Sequence, residues 1–85
     1  MRIGYKKRFL KKLKKSSPKL REQFQEHLDM FLEDKFNPIL ENHSVDKAYP
    51  GCRSINVTGN YRALFQEVGD VVIFVELGTH LELYR

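Results

Sequence analysis

From Arg53 to Val57 apolar and polar side chains alternate, with Ile55 and Val57 on one face and Ser54 and Asn56 on the other, the period-two pattern of a half-buried strand. Thr58-Gly59-Asn60 follows, and because Gly and Asn tolerate positive φ the triplet predicts a turn. Tyr61 to Glu67 alternates again, setting Tyr61, Ala63 and Phe65 against Arg62, Leu64 and Gln66. Gly69-Asp70 predicts the next turn. Val71 to Val75 is apolar on both faces, which predicts a central strand covered by helices on one side and partly by the chain end on the other. Gly78 is expected to break that strand, leaving Thr79 to Arg85 as a terminal strand or turn against the sheet.

The first half changes period. Ile3 and Tyr5 predict a short opening strand. Tyr5, Phe9 and Leu13 then recur at i, i+4, i+8 with Leu10 beside them, while Lys7, Lys11, Lys14 and Lys15 face elsewhere, as in an amphipathic helix. Ser16-Ser17-Pro18 ends this helix and starts another, since Ser17 can cap it and Pro18 suits its first position. Leu20, Phe24, Leu28 and Phe31 form a second buried stripe running to about Asp34, the pattern of a core face. Asn37-Pro38 closes that helix, and residues 39–51 read as a connecting loop holding His43 and Pro50. The expected fold is α+β, in the order βααβββ, with a helical hairpin on a small antiparallel sheet and residues 1–85 forming one domain.

Composition sets bounds on this picture. Ten aromatic residues and 41% hydrophobic content are enough for one small core without metal or disulfide staples. The single cysteine, Cys52, forms no internal disulfide and fits a reducing cytoplasm, where the protein is expected; it reads as a small strand residue. No apolar run approaches the roughly 18 residues of a membrane span, and Lys11-Lys12 and Lys14-Lys15 interrupt any signal-peptide core. The formal charge of +4 is lopsided: residues 1–15 carry eight of the fifteen basic side chains and none of the eleven acidic ones. Such a block points to a polyanion or acidic partner, or simply to a solvated lysine-rich face.

The common site signatures are absent: no Gly-rich phosphate loop, paired cysteines, HExxH or serine elbow. His43 and His80 have no spacing that fixes a metal geometry, so no metal and no cofactor are expected, and His27 reads as a helix-surface residue. What remains is acid–base chemistry around Arg62, His80 and Tyr84. Arg62 offers a planar fork of donors suited to phosphate, unless it is a surface arginine paired with Glu67 or Glu76. An imidazole such as His80 gives or takes a proton near neutral pH. Tyr84 can stack on a base or donate its phenolic proton, or merely pack against the sheet.

The order of a strand, a lysine-rich helix, a second helix, then RSINVTGNYRALFQE, VVIFVELGTH and ELYR resembles the RelE/ParE toxin superfamily, and within it the ribosome-dependent mRNA interferases of the YafQ and RelE type. The likeness spans nearly the whole chain and is strongest from His43 to Tyr84. It implies the toxin of a type II toxin–antitoxin system, which enters the ribosome, cuts mRNA by metal-free attack of a 2′-hydroxyl, and is restrained by a cognate antitoxin protein. By the same resemblance Arg62, His80, Tyr84 and His43 are the expected catalytic residues. Lys7, Lys11, Lys12 and Lys15, with Arg53, Asn56 and Asn60, are the expected RNA-binding ones. The sequence departs from the pattern at Asn56 and Asn60, where YafQ-like members have a histidine and an aspartate; an amide does no proton chemistry at neutral pH, which leaves the general base open. Two other readings stand beside this one: a ParE-like inhibitor of DNA gyrase, and a catalytically silent domain that binds its antitoxin or nucleic acid.

Overall fold

The computed structural model describes residues 1–84; the last residue of the expected terminal segment, Arg85, lies outside them. Strand β1 (Arg2–Tyr5) leads into helices α1 (Lys7–Lys15) and α2 (Pro18–Glu33). A 3-10 turn (Pro38–Leu40) then precedes strands β2 (His43–Ser44), β3 (Arg53–Asn56), β4 (Tyr61–Val68) and β5 (Val71–Thr79), and helix α3 (His80–Tyr84) ends the described chain. The five strands form one sheet in the order β1-β5-β4-β3-β2. The α+β class and the helical hairpin are as expected. The sheet, however, is mixed: β2 to β5 pair antiparallel, whereas β1 lies parallel to β5. A two-helix excursion follows β1, so no tight hairpin forces its direction.

Ser17 caps α2 as its sequence predicts, its Oγ accepting from the Leu20 amide at 3.1 Å with Pro18 at the first turn. The helices bury Phe9, Leu20, Phe24, Leu28 and Phe31 against Ile55, Val57, Ala63, Phe65, Val72, Phe74 and Leu77 of the sheet. Phe74 is the hub, with ring centroids 5.4 Å from Phe9, 5.4 Å from Phe24 and 5.7 Å from Phe65. Tyr5 belongs to β1 rather than to the first helix and stacks on Phe9 at 5.7 Å.

Phe74 and Leu77 share a face although they are three positions apart, which simple alternation forbids. The pairing explains it: Leu64 opposes Glu76 while Phe65 opposes Phe74, so Val75 is an extra residue on β5. This β-bulge re-phases the strand. Beyond it, Leu77 turns to the helices and Gly78 turns to the opposite face, where it pairs with Arg62.

That second face has its own small core of Val45, Cys52, Leu64 and Leu83, bordered by Tyr49, Val75 and Tyr84. Burial raises the Cys52 thiol pKa above its ordinary value, in keeping with a packing role. One expectation at the chain end is corrected here. Gly78 does not break β5, which continues to Thr79; it lets α3 pack close, since a Cβ there would lie 3.3 Å from both Leu83 Cγ and Glu82 Oε1 and would make those side chains shift. Of the strand or turn expected for the terminal segment, the described residues form a turn, and a helical one. Thr79 and Glu82 nucleate it reciprocally, the Thr79 amide donating to Glu82 Oε1 at 2.8 Å and the Glu82 amide to Thr79 Oγ1 at 3.1 Å.

The remaining turns differ in detail. Thr58-Gly59-Asn60 reverses the chain without positive φ; Thr58 Oγ1 accepts instead from the Asn60 and Tyr61 amides at 3.1 and 2.9 Å. Gly69 does carry positive φ, 59°. Asn37 caps the 3-10 turn, and the connecting segment contains β2, which pairs His43 with Ser54.

Candidate functional site

A cavity of about 250 Å3 opens on the second face, bordered by His43, Lys47, Ser54, Arg62, His80 and Tyr84 among others. The functional side chains arrive from three elements, β2, β4 and α3. Arg62 projects from β4 between Asn56 and the bare backbone of Gly78. His43 comes from the edge strand β2, directly opposite Ser54. His80 and Tyr84 stand one helical turn apart on α3, their rings 4.8 Å apart.

Several contacts fix these positions. Arg62 Nη1 donates to the carbonyls of Thr58, Gly59 and Tyr61, each at 3.2 Å, which pins one edge of the guanidinium to the turn. Glu67 is engaged by Lys35 and Glu76 by Arg8, so among the described residues no carboxylate forms an ion pair with Arg62. Its charge therefore remains available to an anion. The His43 Nδ1 lies 2.7 Å from the Glu41 carbonyl oxygen. A carbonyl only accepts, so Nδ1 carries a proton, and the tautomer this contact selects leaves Nε2 as the ring's acceptor.

Helix α3 is tied down at both ends. The His80 amide donates to the Asn60 carbonyl at 3.2 Å, and the Tyr49 hydroxyl donates to the Leu83 carbonyl at 2.6 Å. Lys12 reaches from α1 to Glu82 at 3.0 Å. The Thr79 amide and then the Lys12 ammonium hold the Glu82 carboxyl below its ordinary value. Burial, followed by the neighbouring Tyr49, pushes the Tyr84 phenol up, with Arg62 pulling the other way. Tyr84 thus stays a hydroxyl donor at neutral pH.

The expected RNA-contacting residues do not share this cavity. Asn56 donates to Glu41 and Asn60 borders a different hollow. Arg53 lies on the helix side of the sheet, opposite Phe65, with its Nε donating to Asn42 Oδ1 at 2.8 Å. Lys12, Lys15, Lys19, Thr58, Asn60 and Tyr61 border a larger hollow of about 590 Å3 between the helices and the β3–β4 turn. It offers cations and hydroxyls but no histidine. Lys7 is on the far side of α1 with Lys6, Arg8 and Val75, and Lys11 is exposed. His27, expected at the helix surface, is half-buried with Nδ1 2.5 Å from the Asn56 carbonyl oxygen. Two features were not anticipated from sequence. The Thr79–Glu82 pair was signalled by THLE, a Thr-x-x-Glu capping pattern. Ser54, assigned to the polar face, is 1% exposed.

Among the described residues, no three His, Cys, Asp or Glu side chains group closely enough to hold a metal ion. No described helix is long and apolar enough to cross a membrane.

The architecture is a helical hairpin on one face of a small sheet, with a cleft of histidines, an arginine and a tyrosine on the other. No family model matches the chain, and no curated protein matches it significantly in sequence. Solved structures do match. YafQ from E. coli strain BL21(DE3) superposes with a TM-score of 0.82 at 16% identity, over 100% of both chains. The toxin–antitoxin structure of RelB–RelE from Methanococcus jannaschii contains a match with a TM-score of 0.73 at 23% identity, covering 95% of this chain and 94% of that one. The YoeB/ParE toxin from Agrobacterium tumefaciens gives 0.76 at 10% identity, over 94% and 99%. The chain has the RelE/YafQ-like toxin fold.

Proposed function

We propose that this single-domain protein is the toxin of a type II toxin–antitoxin pair, a cytoplasmic endoribonuclease that cleaves mRNA on the ribosome by 2′-hydroxyl attack. The observation that carries this reading is the meeting of His43, Arg62, His80 and Tyr84 around one cavity. The fold adds to it, since its matches include toxins bound to antitoxins, the E. coli DinJ–YafQ and the RelB–RelE complexes.

The reaction needs a base, a cation and an acid. His43, with its free Nε2, takes the proton of the 2′-hydroxyl; the 2′-oxygen bonds to phosphorus and the P–O5′ bond breaks. Arg62 neutralises charge growing on the phosphoryl oxygens, aided by Lys47 at the rim. His80 in its protonated form gives a proton to the departing 5′-oxygen, and Tyr84 stacks on or hydrogen-bonds to the adjoining nucleotide. The products are a 2′,3′-cyclic phosphate and a 5′-hydroxyl. No step calls for a metal, and the two asparagines are not required as proton carriers. The lysines of α1 supply sequence-independent affinity for ribosomal RNA.

Single-turnover cleavage on ribosomes programmed with a defined message tests this. The wild type should release fragments with 5′-hydroxyl ends, His80→Ala should slow the step by about 10^2 to 10^4, and Arg62→Ala by about 10^2 to 10^3. Fragments with 5′-phosphate ends, or cleavage untouched by both substitutions in folded protein, would refute the mechanism.

A further inference from the structure

Ser54 is 1% exposed, and its Oγ has no hydrogen-bond partner among the protein's groups. Buried hydroxyls are almost always paired, because one left alone in a low-dielectric interior forfeits its hydration without compensation. Val45, Cys52, Leu64 and Leu83 form the apolar core on this face of the sheet. An alanine would suit such a setting better if packing were the only requirement.

The position of this hydroxyl gives it a use. Ser54 borders the cavity together with His43 and Arg62. It is paired directly with His43 on β2, so their side chains leave the same face as immediate neighbours. On its other side Ser54 opposes Leu64, and Arg62 opposes Asn56, which places Ser54 and Arg62 as diagonal neighbours on that same face. The hydroxyl therefore stands between a histidine with a free ring nitrogen and an arginine whose charge no described carboxylate neutralises.

We propose that Ser54 is a substrate-contacting residue of the cleft, donating its Oγ–H to a non-bridging oxygen of the phosphate that Arg62 holds. The proposal rests on the endoribonuclease reading and adds to it the group that receives the phosphate from beneath. It also explains why the sequence keeps a polar atom where the fold itself offers no partner: the partner arrives with the substrate. A hydrogen bond to a charged oxygen is stronger than one between neutral groups.

This assignment predicts opposite signs for function and stability. Ser54→Ala removes an unsatisfied buried group, so the thermal midpoint should stay level or rise by a few degrees, about 4–8 °C for each kcal/mol gained in a domain of this size. Its single-turnover cleavage of message on programmed ribosomes should nevertheless fall by roughly tenfold or more. Ser54→Cys, which puts a somewhat larger atom in the same place and offers only a weak donor, should fall between the two in cleavage. A message carrying sulfur in place of one non-bridging oxygen at the cut site locates the contact. Wild type should be slowed by one of the two sulfur stereoisomers, and Ser54→Ala should lose most of that selectivity, because deletion of the donor and replacement of the acceptor remove the same interaction.

Unchanged cleavage by Ser54→Ala, a midpoint that drops along with activity, or full stereoselectivity retained in the variant would each overturn the proposal while leaving the endoribonuclease reading in place. Intact message with wild-type protein would overturn that reading and the Ser54 contact with it.

Discussion

Helix α3 carries two of the proposed catalytic groups, yet at five residues it is far too short to persist unaided. Its attachment should therefore be a sensitive point, and Leu83→Ala probes it directly. Leu83 is 8% exposed and is the buried residue by which α3 joins the second-face core, beside Val45, Cys52 and Leu64, with Tyr84 packed at its border. Leu→Ala at buried sites costs about 2–5 kcal/mol, and a position at the chain end over a small cluster belongs at the low end, about 2 kcal/mol. The hydrogen bond from Tyr49 to the Leu83 carbonyl survives the change but contributes only about 1 kcal/mol. A loss of 2 kcal/mol alters the docked-to-undocked ratio by roughly 30-fold. The main core around Phe74 does not include Leu83, so the loss should be local. Amide hydrogen exchange is the assay. The His80 amide, bonded to the Asn60 carbonyl, should exchange about 30-fold faster, while the amides of β4 and β5 within the main sheet change much less. Cleavage should fall with the docked fraction. Unaltered His80 exchange, or full cleavage despite a released α3, would refute the argument that this anchor positions the site.

Gly78→Ala should press on the same helix from below, because its Cβ would stand 3.3 Å from Leu83 Cγ; a melting scan should show a loss of about 1–3 kcal/mol, and the double variant with Leu83→Ala should lose less than the sum. Glu82→Gln should remove part of the protein's acid sensitivity. The Glu82 carboxyl is held below its ordinary value of 4.5, so its contribution to stability is whole above 4.5 and is lost as pH falls through the lowered folded value; the gap between wild type and variant in pH-dependent melts should close in that window. Neutralising Lys7, Lys11 and Lys15 should flatten the salt dependence of ribosome binding by about one unit of slope each, whereas Lys12, already paired with Glu82, should contribute less; binding unchanged across a salt series would contradict this.

Much of the fold was legible because its signals are local and repeated. The i, i+4 stripe from Leu20 to Phe31 and the alternation from Arg53 to Gln66 each have one good burial solution, and Ser17-Pro18 punctuates the helices unambiguously. The chain end was misread because Gly78 has a tertiary reason to be glycine, the approach of α3, and this has no sequence signature of its own. The β-bulge at Val75 is likewise a property of the pairing between two strands. Four expected catalytic positions meet at one cavity because strand parity and the order of elements carry them there. Arg53 was misplaced although parity was informative: it alternates with Ser54 and shares the helix-side face with Ile55. Ser54 looked solvated because the strand's alternation shows which face it shares with Asn56 but not that the same face carries a second small core and cleft.

The most direct test of the account is controlled expression in bacteria of the wild type beside His80→Ala, with the 5′ ends of translated messages mapped across the transcriptome. The account predicts growth arrest with codon-phased cuts inside reading frames, both absent in a His80→Ala protein that folds and accumulates normally. Growth arrest with intact messages and damaged DNA would contradict it and point to the gyrase-directed alternative.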